Sequence, residues 1–257
     1  MNCSHIIDEM VWSYSRITTY ETCPYRFFLT YILKLDKKRL FFSDYGSFIH
    51  SIIEKHLTGE LKKSELDKYY LSEFQNNVVG RAPNLSIFKN YFQQGLLYMK
   101  NFTFPYSNVL EVEKEISFNI KGKPFVGFID AVAKDTGIVV VDNKSRDLKQ
   151  RSTRKKPTKS DEELDKYLKQ LYFYCIGILN EYKELPEKLC FNCFRSGTVI
   201  TEPFVQEKFE DAQNWALEMI DTIRNTTEWT PNVDYFVCNH LCDMCHHCEY
   251  NRLSERR

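Results

Sequence analysis

Gly127-Phe128-Ile129-Asp130 and, after a short turn, Val139-Val140-Val141-Asp142-Asn143-Lys144 form the stretch on which the reading of this chain depends. Residues 125–133 are apolar and rich in β-formers, Asp135-Thr136-Gly137 is a turn cluster, and 138–141 is β-branched throughout. The stretch therefore reads as a β-hairpin. Pairing Lys134 with Ile138 across a three-residue loop sets a register that puts Asp130 directly opposite Asp142. Like charges at directly opposed positions destabilise a sheet, because their Cβ atoms stand only ~4.5–5.5 Å apart. A hard divalent cation between them, bound through oxygen, removes that repulsion. Lys144 lies two residues past Asp142, so its side chain leaves the same face of the strand. Two carboxylates for a metal ion with an ammonium beside them suit metal-assisted phosphodiester hydrolysis. There the ion polarises the phosphate and acidifies a water, while the lysine positions that water or offsets developing charge. The plain alternative is a solvated hairpin whose acids face water.

Outward from the hairpin, the composition limits the classes of protein this can be. A chain of 257 residues with 43% hydrophobic and 15% aromatic content has ample material for a packed core, which excludes wholesale disorder. Its length suits one large domain or a core with a small appendage. Lys+Arg and Asp+Glu balance at 35 each, so net charge favours no particular partner. No apolar run approaches the ~18 residues of a membrane span, and the N-terminus lacks a signal-peptide pattern. A soluble, cytoplasmic protein without a membrane partner is expected. The cysteine count is nine, an odd number, and four crowd into 238–248. In a reducing compartment such crowding reads as metal ligation rather than a disulfide framework.

In chain order, Ser13 and Ser15 are candidate N-caps for a helical turn, Cys23-Pro24 interrupts it, and 25–33 continues as an aromatic helix. Residues 47–57 form the next helix, with His50 and Glu54 on one face. The segments 64–79 and 84–102 read as helices of an insertion, about 60–105, that carries no chemistry of its own and shapes a groove. Residues 109–120 alternate as a strand through Leu110, Val112, Ile116, Phe118 and Ile120, and Gly122-Lys123-Pro124 turns into the central hairpin. Residues 144–159 hold eight Lys or Arg against one acid, Asp147. Ser160-Asp161-Glu162-Glu163 then reads as a capping box opening a helix to about residue 182, with Gln170 and Tyr174 on one face. Residues 189–194 and 198–205 form a second hairpin about Ser196-Gly197, and 206–224 is an amphipathic helix. His50 alone is weak evidence, since a histidine on a helix face is usually structural. After Gly46, before Glu54 and beside an acidic hairpin, it becomes a third candidate metal ligand through a neutral imidazole nitrogen.

These residues resemble a known family. The ordered set Ser15-Arg16, Cys23-Pro24-Tyr25-Arg26-Phe27, Gly46-Ser47-Phe48-Ile49-His50, Gly127-Phe128-Ile129-Asp130, Val141-Asp142-Asn143-Lys144 and Gln170-Leu171-Tyr172-Phe173-Tyr174 is similar to the RecB-like branch of the PD-(D/E)XK nucleases. Each motif alone is weak, but the whole set in order along nearly the whole chain is specific. The resemblance implies an α/β fold with a restriction-endonuclease-like core. In it a mixed central sheet is flanked by helices, with a helical insertion and a C-terminal cysteine-bound metal centre. It implies DNA cleavage dependent on Mg²⁺ or Mn²⁺. His50, Asp130, Asp142 and the backbone carbonyl of Asn143 would be the metal ligands. Lys144 would be the catalytic lysine, with Gln170 and Tyr174 as the accessory pair.

The cysteines sharpen the subgroup. RecB-like nucleases with an iron–sulfur cluster, including the AddB and CRISPR-associated exonuclease types, use one cysteine before the nuclease motifs and three after, often spaced C-x2-C-x5-C. Cys23 with Cys238-x3-Cys242-x5-Cys248 is similar, with the first gap one longer and Cys245 surplus. Cys242-x2-Cys245-x2-Cys248 is the competing trio. All-thiolate ligation suits an iron–sulfur cluster, here 4Fe-4S, or a tetrahedral zinc as the alternative. A zinc knuckle of Cys238, Cys242, Cys245 and Cys248 would leave Cys23 a core thiol. Cys3, Cys175, Cys190 and Cys193 read as core or surface thiols; Cys190 and Cys193 share a strand at odd spacing and so face opposite ways.

The reading is a single metal-dependent nuclease domain over 1–257, with its cysteine tail, about 230–257, packed back on Cys23. It acts as an exonuclease on single-stranded DNA or DNA ends in recombination, repair or CRISPR-type processing, alongside other proteins of those pathways. Arg146, Lys149, Arg151, Arg154, Lys155 and Lys156 are the expected DNA contacts, through phosphate neutralisation. The many aromatics suit base stacking. The alternative is a catalytically weak DNA-binding or scaffolding module of the same fold.

Overall fold

The computed structural model describes residues 3–251. Its centre is a five-stranded mixed sheet in the order β1-β2-β3-β4-β5. The strands are β1 (Val109–Ile120), β2 (Lys123–Lys134), β3 (Ile138–Lys144), β4 (Lys188–Cys193) and β5 (Thr198–Pro203). β1, β2 and β3 form an antiparallel meander, β3 and β4 run parallel, and β5 returns antiparallel. Lys134 pairs with Ile138, the register expected for the central hairpin, and the ladder runs on to Ala131 opposite Val141. The ladder ends there, and the Asn143 N–H donates to the Asp130 side chain instead (2.6 Å).

A parallel strand pair requires a crossover. Here the long helix Lys159–Tyr182 provides it and covers one face of the sheet. Its start differs from the expected capping box at Ser160. Thr158 is the N-cap, and Asp161 reaches back to the Thr158 N–H (2.6 Å). Thr158 carries the extended backbone that a cap needs, while Ser160 is already inside the first turn. The helix ends where Lys183 enters the left-handed region, φ 60°.

Ahead of the sheet lie α1 (Ser4–Asp8), α2 (Tyr14–Thr22), α3 (Pro24–Phe27), α4 (Phe41–Leu57), α5 (Leu66–Asn77) and α6 (Leu85–Lys100); the crossover helix is α7, and α8 is Gln206–Arg224. The helix expected over 25–33 is split, because Phe28–Ile32 is a π-turn that follows α3. α4 begins six residues before the expected position 47. Phe41 and Tyr45 are buried there, and tertiary packing extends a helix whose polar Ser43 and Asp44 gave little periodicity.

Two apolar cores result. One joins α7, α8 and the N-terminal helices to the sheet through Trp12, Phe27, Phe125, Phe173 and Phe191. The other joins α4, α5 and α6 through Tyr45, Phe48, Tyr70, Phe74 and Tyr98. Trp12 also closes the exposed side of β2 by exchanging backbone bonds with Pro124 and Val126 (both 2.8 Å). Trp229, near the end of the chain, stacks on Phe27 and Phe28. The beginning and end of the chain thus share one apolar cluster.

Candidate active site

The middle of β2 and the C-terminal end of β3 bring charged groups together. Asp130 comes from β2, Asp142, Asn143 and Lys144 from β3, His50 from the middle of α4, and Gln170 and Tyr174 from successive turns of α7. Asp142 and Asn143 are buried, and Asp130, His50 and Lys144 are partly exposed. His50 Nε2 lies 2.8 Å from the Asn143 carbonyl oxygen and must donate to it, while His50 Nδ1 is 3.5 Å from Asp130 Oδ2. The Asn143 N–H donates to that same Asp130 oxygen (2.6 Å). Lys144 Nζ sits 3.0 and 2.8 Å from the two Asp142 oxygens and donates to Gln170 Oε1 (2.9 Å). Gln170 Nε2 in turn donates to the Tyr174 hydroxyl (2.9 Å). Gly127 is explained by this packing: a Cβ there would stand 2.7 Å from the Tyr174 ring.

Electrostatics divides the acids. Burial raises the Asp142 carboxyl to about 6 against the opposing pull of Lys144, with Asp130 adding to the rise. Burial also acts on Asp130, but the His50 charge, the His50 hydrogen bond and the Asn143 N–H outweigh it and hold Asp130 below its ordinary value. His50 is raised to about 9, because Asp130 overcomes the burial that disfavours its charge. The net arrangement is two acids, each beside its own cationic partner, Asp130 with His50 and Asp142 with Lys144.

One ligand candidate was not legible in the motifs. Glu113 of β1 joins His50 and Asp130, and one ligand atom from each lies within 4.8 Å of the others. Burial first, then Asp130, raises its carboxyl to about 7. Glu113 stands in the left-handed region, φ 46°, at the register position facing Asp130. Around Asp130 the buried residues of β2 change cluster: Ile129 and Val132 share one core, while Ala131 and Ala133 enter another. The trace in the sequence is Lys114, the one polar residue that breaks the apolar alternation of 110–120.

A second unforeseen feature lies behind β3. The Asn143 side chain is buried and accepts a hydrogen bond from Asn192 Nδ2 of β4 (2.8 Å), which also donates to the Tyr98 hydroxyl of α6 (2.8 Å). The α4–α6 layer is thereby tied by polar bonds to the residue between Asp142 and Lys144.

These donors fit a hard divalent ion. Carboxylate oxygens, an imidazole and a backbone carbonyl are the ligand types such an ion takes. Asp142 Oδ2 is buried and lacks a well-directed hydrogen bond, despite its closeness to Lys144. Clefts flank the centre. One of about 860 Å³ is lined by Tyr14, Arg146, Lys166, Tyr167 and Gln170. Another, lined by Gly46, Ser47, His50, Glu54 and Glu113, opens on the far side.

The basic segment 145–158 has no regular structure. Lys149, Arg154, Lys155 and Lys156 are exposed, and Arg146 pairs with Glu163 (2.5 Å). Arg151 departs from the expected role. Its guanidinium is taken up by Asp165 (2.8 Å) and Glu202 (2.6 Å), so it anchors the loop to α7 and β5.

Cys23, Cys238, Cys242 and Cys248 line one largely apolar cavity with Leu29, Val237 and Met244, whereas Cys245 is buried outside it. Two backbone N–H groups, of Arg26 and Asn232, point at the Cys23 sulfur, both at 3.4 Å. Among the described residues no three cysteine sulfurs fall within 4.8 Å of one another. Cys190 and Cys193 belong to different apolar clusters on opposite faces of β4, as their spacing required.

A family model described as the PD-(D/E)XK nuclease superfamily matches residues 11–253. Among solved structures, a "Putative exonuclease" from Eubacterium rectale aligns over 95% of this chain and 90% of its own, at 12% identity and a TM-score of 0.51, a likeness of fold. A protein named SSO0001 aligns over 79% of this chain and 95% of its own at 19% identity, with a TM-score of 0.30 that supports no argument. None of the curated proteins matches this chain.

Proposed function

The chain belongs to the PD-(D/E)XK nuclease superfamily, and from that premise we propose that it is a divalent-metal-dependent deoxyribonuclease acting on single-stranded DNA or DNA ends. The observation that carries the reading is the pair Asp130 and Asp142 on facing strands, with Lys144 held on Asp142 and Gln170. His50, Glu113, Asp130, Asp142 and the Asn143 carbonyl would hold Mg²⁺ or Mn²⁺. That ion supplies Lewis acidity and a more acidic water. The chain's own contribution is positional. Lys144 carries a positive charge, since Asp142 overcomes the burial that disfavours it and raises its pKa. Gln170 accepts from the Lys144 ammonium and Tyr174 orients Gln170, so the ammonium is aimed where a phosphate develops charge. Lys149, Arg154, Lys155 and Lys156 would draw a phosphate backbone toward the cleft without reading bases.

The cysteines support a second centre, an iron–sulfur cluster held by Cys23, Cys238, Cys242 and Cys248. A tetrahedral zinc with ~2.3 Å bonds needs its sulfurs within ~4 Å of one another, whereas among the described residues no three cysteine sulfurs lie within 4.8 Å of one another. N–H groups aimed at a ligand sulfur are a feature that tunes such clusters. Cys245 is left outside.

The test is a digest of end-labelled single- and double-stranded oligonucleotides in parallel, with Mn²⁺ and with chelator. Cleavage that requires Mn²⁺ and favours the single strand or the ends is expected. A protein that binds DNA but cuts nothing with Mn²⁺ or Mg²⁺ would overturn the reading.

A further inference from the structure

Away from the acidic centre, Asp36 in the segment joining the π-turn to α4 faces His246 and His247 near the end of the chain. His247 Nε2 lies 2.9 Å from Asp36 Oδ1 and His246 Nε2 lies 3.3 Å from Asp36 Oδ2. One ligand atom from each of the three residues falls within 4.8 Å of the others. The two imidazoles are consecutive in the chain, yet both present the same nitrogen to a single carboxylate, with ring centroids 3.9 Å apart. An ion bonded tetrahedrally at ~2.0–2.2 Å to imidazole nitrogen and carboxylate oxygen holds its ligand atoms ~3.3–3.6 Å apart, close to the spacing already present.

The two segments are held in place by other bonds. The Lys38 N–H donates to the Asp243 carbonyl (2.9 Å), and the Asp243 carboxylate pairs with Arg26 (2.8 Å) and Lys37 (3.7 Å). A ligand set on such a scaffold loses little freedom when it closes on an ion.

We propose that Asp36, His246 and His247 form a further metal site, separate from both the acidic and the cysteine centres, for a borderline first-row transition ion such as zinc, which clips the segment before α4 to the cysteine-rich end of the chain. Two imidazoles and one carboxylate favour zinc, nickel, copper or cobalt over magnesium, which prefers oxygen and retained water. The site is thereby chemically distinct from the oxygen-rich centre at Asp130. Asp36 is exposed, so water completes the coordination. The site does not depend on the nuclease reading.

The test is a Co²⁺ titration of the full chain, purified anaerobically with its cysteine centre as isolated and held in excess Mg²⁺. Parent, Asp36→Ala and His247→Ala are compared. The parent should take up one more ion than either variant, with visible cobalt bands and no sulfur-to-cobalt charge-transfer absorption, and Zn²⁺ should displace that ion. Equal uptake by all three overturns the site. An extra ion accompanied by the sulfur band belongs to the cysteines and overturns it too. Uptake lost in His247→Ala but retained in Asp36→Ala would mean that the carboxylate is no ligand, against the proposal.

Discussion

Lys144 is bound on two sides, by Asp142 and Gln170, and the other charged groups of the centre carry ligand atoms for a cation. Its removal should therefore separate chemistry from metal binding. Lys144→Ala should lower turnover about 10²–10³-fold, the scale of losing one preorganised donor, while Mn²⁺ affinity by titration calorimetry stays near the parent. A large loss of affinity would give the lysine another role. The pH behaviour of the metal-free protein follows from three groups. Asp142, Glu113 and His50 each have a folded-state pKa above the ordinary value, so the folded chain holds these protons more tightly than the unfolded one. The stability they contribute is full below their ordinary values and is lost as pH rises through about 6, about 7 and about 9. Glu113→Gln keeps that position neutral. In chelator it should melt above the parent at pH 8 and close to it at pH 5, by calorimetry. A variant that melts lower at pH 8 would contradict the assignment of Glu113 as a strained, buried acid.

At the level of elements, β3, which carries Asp142 and Lys144, is fixed from behind by Asn143, Asn192 and Tyr98. Replacing Asn192 with Leu leaves the buried Asn143 oxygen without a donor and should cost about 1–3 kcal/mol in denaturant unfolding. Asn143→Leu combined with Asn192→Leu removes both partners and should recover most of that loss. Additive losses in the double variant would mean that the two side chains are not coupled. The basic loop gives a different expectation. Neutralising Arg154, Lys155 and Lys156 together should weaken DNA binding for every sequence and flatten its dependence on log salt by up to about one unit per lost phosphate contact. An unchanged slope would make the loop a solvated connector.

Across the whole molecule, the cysteine cavity joins residues more than two hundred positions apart, next to the stack of Trp229 on Phe27. A centre bound there closes a very long loop, so its loss should destabilise the entire fold and not the tail alone. Anaerobically purified protein should be brown, with visible absorption that bleaches on reduction, where zinc would leave it colourless. Cys23→Ser should lose metal content, solubility and activity together, whereas Cys245→Ser should lose little. A Cys23→Ser protein with its full metal content would refute the bridging centre.

The hairpin, its register, the extents of α8 and β1, and the grouping of His50, Asp130, Asp142, Lys144, Gln170 and Tyr174 were legible in the sequence. Periodicity, turn chemistry and spacing are local, so local rules determine the hairpin, its register and the extents of the elements, whereas the grouping of side chains from four elements is what the resemblance to a known family implied. Glu113, the Asn143–Asn192–Tyr98 contacts, the diversion of Arg151 to Asp165 and Glu202, and the gathering of Cys23, Cys238, Cys242 and Cys248 about one cavity were decided only by the tertiary structure. Each depends on which elements become neighbours, which no pattern within a single strand or helix can encode.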